Sequence, residues 1–161
     1  MKTRGPRPSA FAPSTAYTSS VLRVATYNIH KGVRGLGLRK RLEIHNLGLG
    51  IEALDADIVF LQEVLLFHAR DARRFDRTWL GWPDEGQAEF LAPPGYESAY
   101  RTNAVTRHGE HGNALLSRWP IGDIGHHDVS DHRFEQRGLL HVPVWWQGVE
   151  VHAVVAHLGL I

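Results

Sequence analysis

The sequence has no cysteine. That excludes disulfides, a thiolate nucleophile and sulfur-based zinc sites, and leaves the redox compartment open. It also has almost no net charge: 18 Lys and Arg face 17 Asp and Glu, for a formal +1. No whole-molecule field therefore gathers nucleic acid or anionic lipid, and a polyanionic substrate must be held by a local site. No apolar run approaches the about 20 residues of a membrane-crossing helix. The N-terminus lacks the continuous apolar core of a secretion signal, and a cytoplasmic location is expected. Histidines are numerous, 11 in 161 residues, yet no HExxH or Cys/His spacing orders them. His108, His111, His126, His127 and His132 read as loop residues rather than a zinc cluster. No segment repeats.

What is present suits one globular domain, with 43% hydrophobic and 22% charged residues. Residues 1–20 are rich in Pro, Ser, Thr and Ala and read as a disordered tail. The chain is organised around Asp57 to Val64. Ile58 to Leu61 is a short run of β-branched, aromatic and aliphatic residues, suited to a strand buried on both faces. It finishes on Gln62 and Glu63, which puts a carboxylate where a buried strand is expected to end. A charge there costs several kcal/mol unless a cation or hydrogen-bond donors meet it.

Upstream, Leu22 to Ile29 predicts the first strand, with Leu22, Val24, Thr26 and Asn28 on one core-facing column. Ile44, Leu47, Ile51 and Leu54 fall at helical spacing. Phe67 to Pro94 predicts a packed loop around Trp79 and Trp82, with a short helix from Gln87 to Ala92. Tyr96 to Tyr100, Asn113 to Ser117 and Asp123 to Val129 predict strands, and Arg101 to Gly112 an exposed hairpin or loop. Leu139 to Trp145 and Val149 to His157 predict a hairpin about Gln147-Gly148, because that glycine tolerates positive φ. Val149, Val151, Ala153, Val155 and His157 then share a face. Three apolar columns thus end in Asn28, Glu63 and His157. A carboxylate, a carboxamide and an imidazole meet the needs of a magnesium-dependent phosphoester site. Mg²⁺ takes one or two protein carboxylates and fills its shell with water and substrate oxygens, while amide and imidazole donors stabilise phosphoryl charge.

The segments Thr26-Tyr27-Asn28-Ile29-His30-Lys31-Gly32, Leu61-Gln62-Glu63-Val64, His111 to Arg118, Glu135-Gln136-Arg137-Gly138 and Ala156-His157-Leu158-Gly159-Leu160 stand in the order seen in the endonuclease/exonuclease/phosphatase family. The chain resembles that family from about Leu22 onward, and its bacterial stand-alone members above all. The resemblance implies a DNase I-like α/β fold: a two-layer β-sandwich with flanking helices, of which residues 21–161 are expected to form the N-terminal portion. It implies a phosphodiesterase or phosphomonoesterase that uses Mg²⁺ or Mn²⁺. Carried over position by position, Glu63 is the metal ligand, Asn28 helps set metal and phosphate, and His157 contacts the scissile phosphate. His30, Asn113 and Arg137 are expected to position the phosphate.

Some family members carry Asp two residues after the asparagine, where this chain has His30, so a second carboxylate at the metal is not implied. The family's Gly-Asp-Phe-Asn-like segment and final Ser-Asp-His are expected beyond Ile161. Ser130-Asp131-His132 precedes Glu135-Gln136-Arg137-Gly138 and reads as a coincidence. The alternative expectation is a catalytically incompetent fragment or binding remnant. The expected partner is a phosphoester substrate, from nucleic acid, phospholipid or inositol phosphate, with no obligate protein partner beyond a possible complementing C-terminal half.

Overall fold

The computed structural model describes residues 20–76, 79–130 and 137–157. Most of the N-terminal tail, Asp131 and His132, Glu135 and Gln136, and the residues after His157 lie outside that range.

Strand β1 (Val24–Asn28) runs parallel to β4 (Ile58–His68). The crossover between them carries a small β2 (Val33–Arg34) and β3 (Arg41–Leu42) ribbon and helix α1 (Ile44–Leu54). After helices α2 (Ala69–Phe75) and α3 (Gln87–Leu91) come β5 (Glu97–Thr106) and β6 (Gly109–Ser117). Antiparallel pairing completes a four-stranded sheet in the order β1-β4-β6-β5. A second sheet holds β7 (Gly125–Asp128), β8 (Gly138–Trp146) and β9 (Val149–Val155) in sequence order. The fold is therefore mixed α/β, with two β layers and helices outside, as the sequence predicts.

β4 shows why this order of layers arises. Its alternation sends Val59 and Leu61 toward Ile44, Ile51 and Leu91 of the helices. Ile58 and Phe60 point the other way, against Leu140, Val142, Val144 and Val155 of the second sheet. One apolar strand thus supplies both cores. The β8–β9 hairpin turns on Gln147 (φ 50°) and Gly148 (φ 82°), the two left-handed residues that a type I′ turn requires. Helix α1 appears where its apolar spacing puts it, and Asp55 ends it in the left-handed conformation (φ 46°).

Several expectations need correction. β4 does not end at Glu63 but continues to His68, because Val64 and Leu65 keep the strand buried beyond it. The Leu22, Val24, Thr26, Asn28 column is not a core column along its length. It faces the side on which the second sheet lies, but Val24 is 58% exposed, and the buried residue of this segment is Ile29. Residues 67–75 are strand and helix rather than loop. Trp79 is almost wholly exposed rather than packed, whereas Trp82 stacks on Phe75 with ring centroids 6.2 Å apart. At 101–112 the expected hairpin or loop is the hairpin, made of the paired ends of β5 and β6.

Candidate functional site

The site forms where β1 ends, β4 kinks and the second sheet comes closest. Opposite Asn113 of β6, two residues of β4, Gln62 and Glu63, occupy the space of one, and the register shifts between Leu61 and Val64. This is a β-bulge. Glu63 takes it up with φ 55°, a left-handed conformation that costs a non-glycine residue about 1–2 kcal/mol. The bulge turns the Glu63 carboxylate out of the strand's alternation and toward the end of β1. There Asn28 Nδ2 donates to Glu63 Oε1 at 2.9 Å, and Asn28 Oδ1 accepts from the His30 backbone N–H at 3.0 Å. Asn28 is thereby fixed at both ends of its amide and fixes the carboxylate in turn.

Two imidazoles flank Glu63. His157 Nε2 lies 3.8 Å from Oε1, and His30 Nδ1 lies 3.9 Å from Oε2. Arg137 Nη1 approaches His157 Nδ1 at 3.4 Å from the start of the second sheet. Burial raises the Glu63 pKa, but the Asn28 hydrogen bond and the charges of Lys31, His157 and His30 outweigh it and hold the carboxyl below its usual range. His157 is pushed down, first by burial and then by Arg137, against the pull of Glu63. At neutral pH the pair is therefore an anionic oxygen beside a neutral imidazole.

Asn113 is fully buried and joins the two sheets. Its Nδ2 donates to Gly138 O at 2.8 Å and Val155 O at 3.2 Å, the carbonyls next to Arg137 and two residues before His157. Its Oδ1 is buried with no partner among the described residues. An orphaned acceptor costs about 1–3 kcal/mol, tolerated here where the second sheet is locked in register with the site. Gly112 leads into it, and any side chain there would collide with the Arg101 carbonyl.

Of the six sequence-predicted residues, Asn28, His30 and His157 meet around the Glu63 carboxylate, and Arg137 joins them through His157. Asn113 stands behind them with no exposed surface. The residue-by-residue reading left out three others. Lys31 (φ 61°) contributes to the field at Glu63 and His157, half-buried His111 lies within the field of both, and both residues lie inside quoted motifs. Gln87 of α3, 1% exposed, donates to Lys31 O and accepts from Leu65 N–H, each at 2.9 Å. It braces the loop after β1 against the exit of the bulge. No sequence signal marks it, since an isolated glutamine in a short helix is ordinary.

Fold and site together define a two-layer α/β sandwich with a carboxylate-centred cleft at one edge, and the chain belongs to the endonuclease/exonuclease/phosphatase family, whose model matches residues 25–157. It is 38% identical over 141 residues to the uncharacterized protein YbhP of Escherichia coli K12 and, to the same extent, to YbhP of Shigella flexneri. The match takes in 86% of this chain and 53% of those relatives, so the chain spans about half their length. An endonuclease/exonuclease/phosphatase family protein from Leptotrichia buccalis C-1013-b shares the fold, with TM-score 0.62 and 14% identity over 87% of this chain and 56% of that one.

The family generally uses divalent metals, and the residues here fit such an ion in part. Glu63 offers a hard anionic oxygen at a partly open position, the donor type that Mg²⁺ and Mn²⁺ prefer. Asn28 has its carbonyl committed to His30 N–H and as placed serves the carboxylate rather than a cation. Among the described residues no group of three His, Asp or Glu side chains is arranged to hold a metal. One protein ligand with the remaining positions left to water and phosphate oxygens is a shell that Mg²⁺ commonly takes.

Proposed function

We propose that these residues belong to a divalent-metal-dependent phosphoesterase that hydrolyses a phosphodiester or phosphomonoester by in-line attack of water. The observation that carries this reading is the Glu63 carboxylate, held out of its strand by a left-handed bulge, gripped by Asn28 and flanked by two imidazoles. Local backbone strain of this kind persists where the surrounding structure enforces it, most often at functional sites.

When bound, Mg²⁺ or Mn²⁺ would be held by Glu63 and would neutralise charge developing on the phosphoryl oxygens. Asn28 keeps the carboxylate aimed. Neutral His157 presents Nε2 toward the same point and can donate a hydrogen bond to a phosphoryl oxygen, with Arg137 behind its other nitrogen. His30 and Lys31 line the approach, and the Lys31 ammonium adds positive charge for an anionic substrate.

A second reading is phosphoester binding without turnover, and it is favoured by the Asn28 carbonyl, which is committed to the His30 N–H and so does not join Glu63 at a cation. One experiment separates the two. Release of nitrophenol from bis(p-nitrophenyl) phosphate and from p-nitrophenyl phosphate is followed with Mg²⁺ or Mn²⁺ for the parent chain, Glu63→Gln and His157→Ala. Metal-dependent turnover lost in both variants supports the hydrolase. Metal and phosphate binding with no turnover supports the second reading.

A further inference from the structure

The balanced overall charge hides one strongly unbalanced segment. Residues 31–41 carry five of the chain's 18 basic residues, Lys31, Arg34, Arg39, Lys40 and Arg41, and no acidic one. Of these Arg34, Arg39 and Arg41 are exposed. The same loop displays Leu36 at 90% and Leu38 at 99% exposure. Beside it, sharing the cleft that Lys40 and Arg41 line, stand Trp79 at 98% and Leu80 at 61%. A second cleft of about 670 Å³ runs along the other side of the loop and is lined by Arg34, Leu36, Lys31, His30 and Glu63. The acidic groups nearby are few: Glu43 lines that cleft, and Asp71 is buried against Lys40 at 2.5 Å.

The loop is not a loose flap. Arg74 of α2 reaches the carbonyls of Gly37 at 2.8 Å and Leu38 at 3.1 Å, while Asp71 anchors Lys40. Gly35 and Gly37 supply the left-handed turns that let the loop double back over this brace. Two leucines are thus held outward on a fixed base, at the cost of leaving large apolar side chains in water.

We infer that this loop and the Trp79-Leu80 segment form a docking element for an anionic phospholipid surface. Apolar tips flanked by Arg and Lys are what an interfacial membrane contact needs: the leucines enter the headgroup boundary, and the cations meet anionic lipid. Nucleic acid also attracts the cations, but an isolated leucine neither stacks on a base nor hydrogen-bonds to one, and two such side chains would be wasted there. Docked in this way, the element sets the cleft leading to Glu63 against headgroup phosphoesters. That last step rests on the phosphoesterase reading; the docking does not.

The test is partition of the full chain onto sedimented vesicles of phosphatidylcholine alone and of phosphatidylcholine with about one-third phosphatidylglycerol. Binding to the anionic vesicles only, falling steeply with added salt, is expected. Leu36→Ser with Leu38→Ser should weaken it at least about tenfold. Arg34→Gln, Arg39→Gln and Arg41→Gln should each weaken it about fivefold. All these positions are exposed, and unchanged thermal melting confirms that the variants fold. Equal binding to neutral vesicles, no binding to either kind, or binding indifferent to the two leucines overturns the inference. Binding to single-stranded DNA that ignores the leucines would assign the surface to nucleic acid instead. Self-association abolished by the leucine changes, without vesicle binding, would assign it to a second copy of the chain. Because the readout is vesicle partition, it stands apart from whether Glu63 supports hydrolysis.

Discussion

Glu63 carries two burdens that can be measured separately: a charge near the protein interior and a backbone in the left-handed region. Replacing it by Ala removes the first and keeps the second, whereas Gly removes both. Glu63→Gly should therefore be more stable than Glu63→Ala by about 1 kcal/mol, read from urea denaturation, since a β-carbon at φ 55° costs roughly that much. Both should lose Mn²⁺ binding measured by titration calorimetry or paramagnetic resonance. Equal stability of the two would mean that the bulge relaxes without its side chain. Asn28→Ala leaves the carboxylate in place but unheld, and metal affinity should fall about tenfold, as is usual when the residue orienting a ligand is removed. At this scale the sequence was informative about residue type. A carboxylate closing an apolar run, and polar residues closing two more, marked Glu63, Asn28 and His157. The positive φ was hidden, because nothing in Leu-Gln-Glu-Val announces two residues in the space of one. Gln87 was hidden for a different reason, since its partners are backbone groups far away in the chain.

Among elements, strands with a strong apolar alternation were readable and their ends were not. The residues after Glu63 are again apolar, so the ladder resumes past the bulge and β4 reaches His68. The helix that follows was missed because Ala69-Arg70-Asp71-Ala72-Arg73-Arg74-Phe75 has little apolar periodicity. What holds it is capping and charge. His68 Nδ1 accepts from the Asp71 N–H at 3.2 Å, and the buried Asp71 carboxylate meets Lys40 at 2.5 Å. Helix α2 in turn braces the basic loop through Arg74. Asp71→Ala leaves Lys40, only about a quarter exposed, without its counter-charge. The expected loss is about 2–4 kcal/mol, toward the low end of that for breaking a buried pair because water still reaches the ammonium. Amide exchange in residues 36–41 should accelerate in the same variant. A loss under about 0.5 kcal/mol with unchanged exchange would show that Arg74 alone holds the loop.

On the scale of the whole molecule, alternation told which face of each strand is apolar but not which strands the second layer covers. The second sheet packs on β4, β5 and β6 and leaves the corresponding face of β1 open at Val24, so a column that looks core-like in sequence is half solvated. The sheets are held together next to the site by Asn113, and near it stand imidazoles that folding keeps neutral. His68, His111 and His157 all have their pKa lowered, in each case chiefly by burial. Lys31 pushes the same way at all three, joined by Lys40 at His68 and by Arg137 at His111 and His157. Asp71 at His68 and Glu63 at the other two oppose it. In the unfolded chain each titrates near 6.5. As pH falls through that value the unfolded state takes up protons that the folded state still refuses, so the equilibrium shifts toward unfolding. Stability is full above pH 6.5 and declines below it, until each lowered folded pKa is passed. Glu63 adds a second decline at lower pH, because a depressed carboxyl stabilises only while it is ionised in the fold. Urea midpoints should therefore hold from pH 7.5 to about 6.5 and drop from there to pH 5.5, with no stabilisation on acidification. His68→Asn keeps an acceptor for the first turn of α2 and removes one titrating ring. It should make the slope between pH 7 and 5.5 shallower. A flat profile in the parent chain, or an unchanged slope in His68→Asn, would mean that these rings remain hydrated and titrate alike in both states.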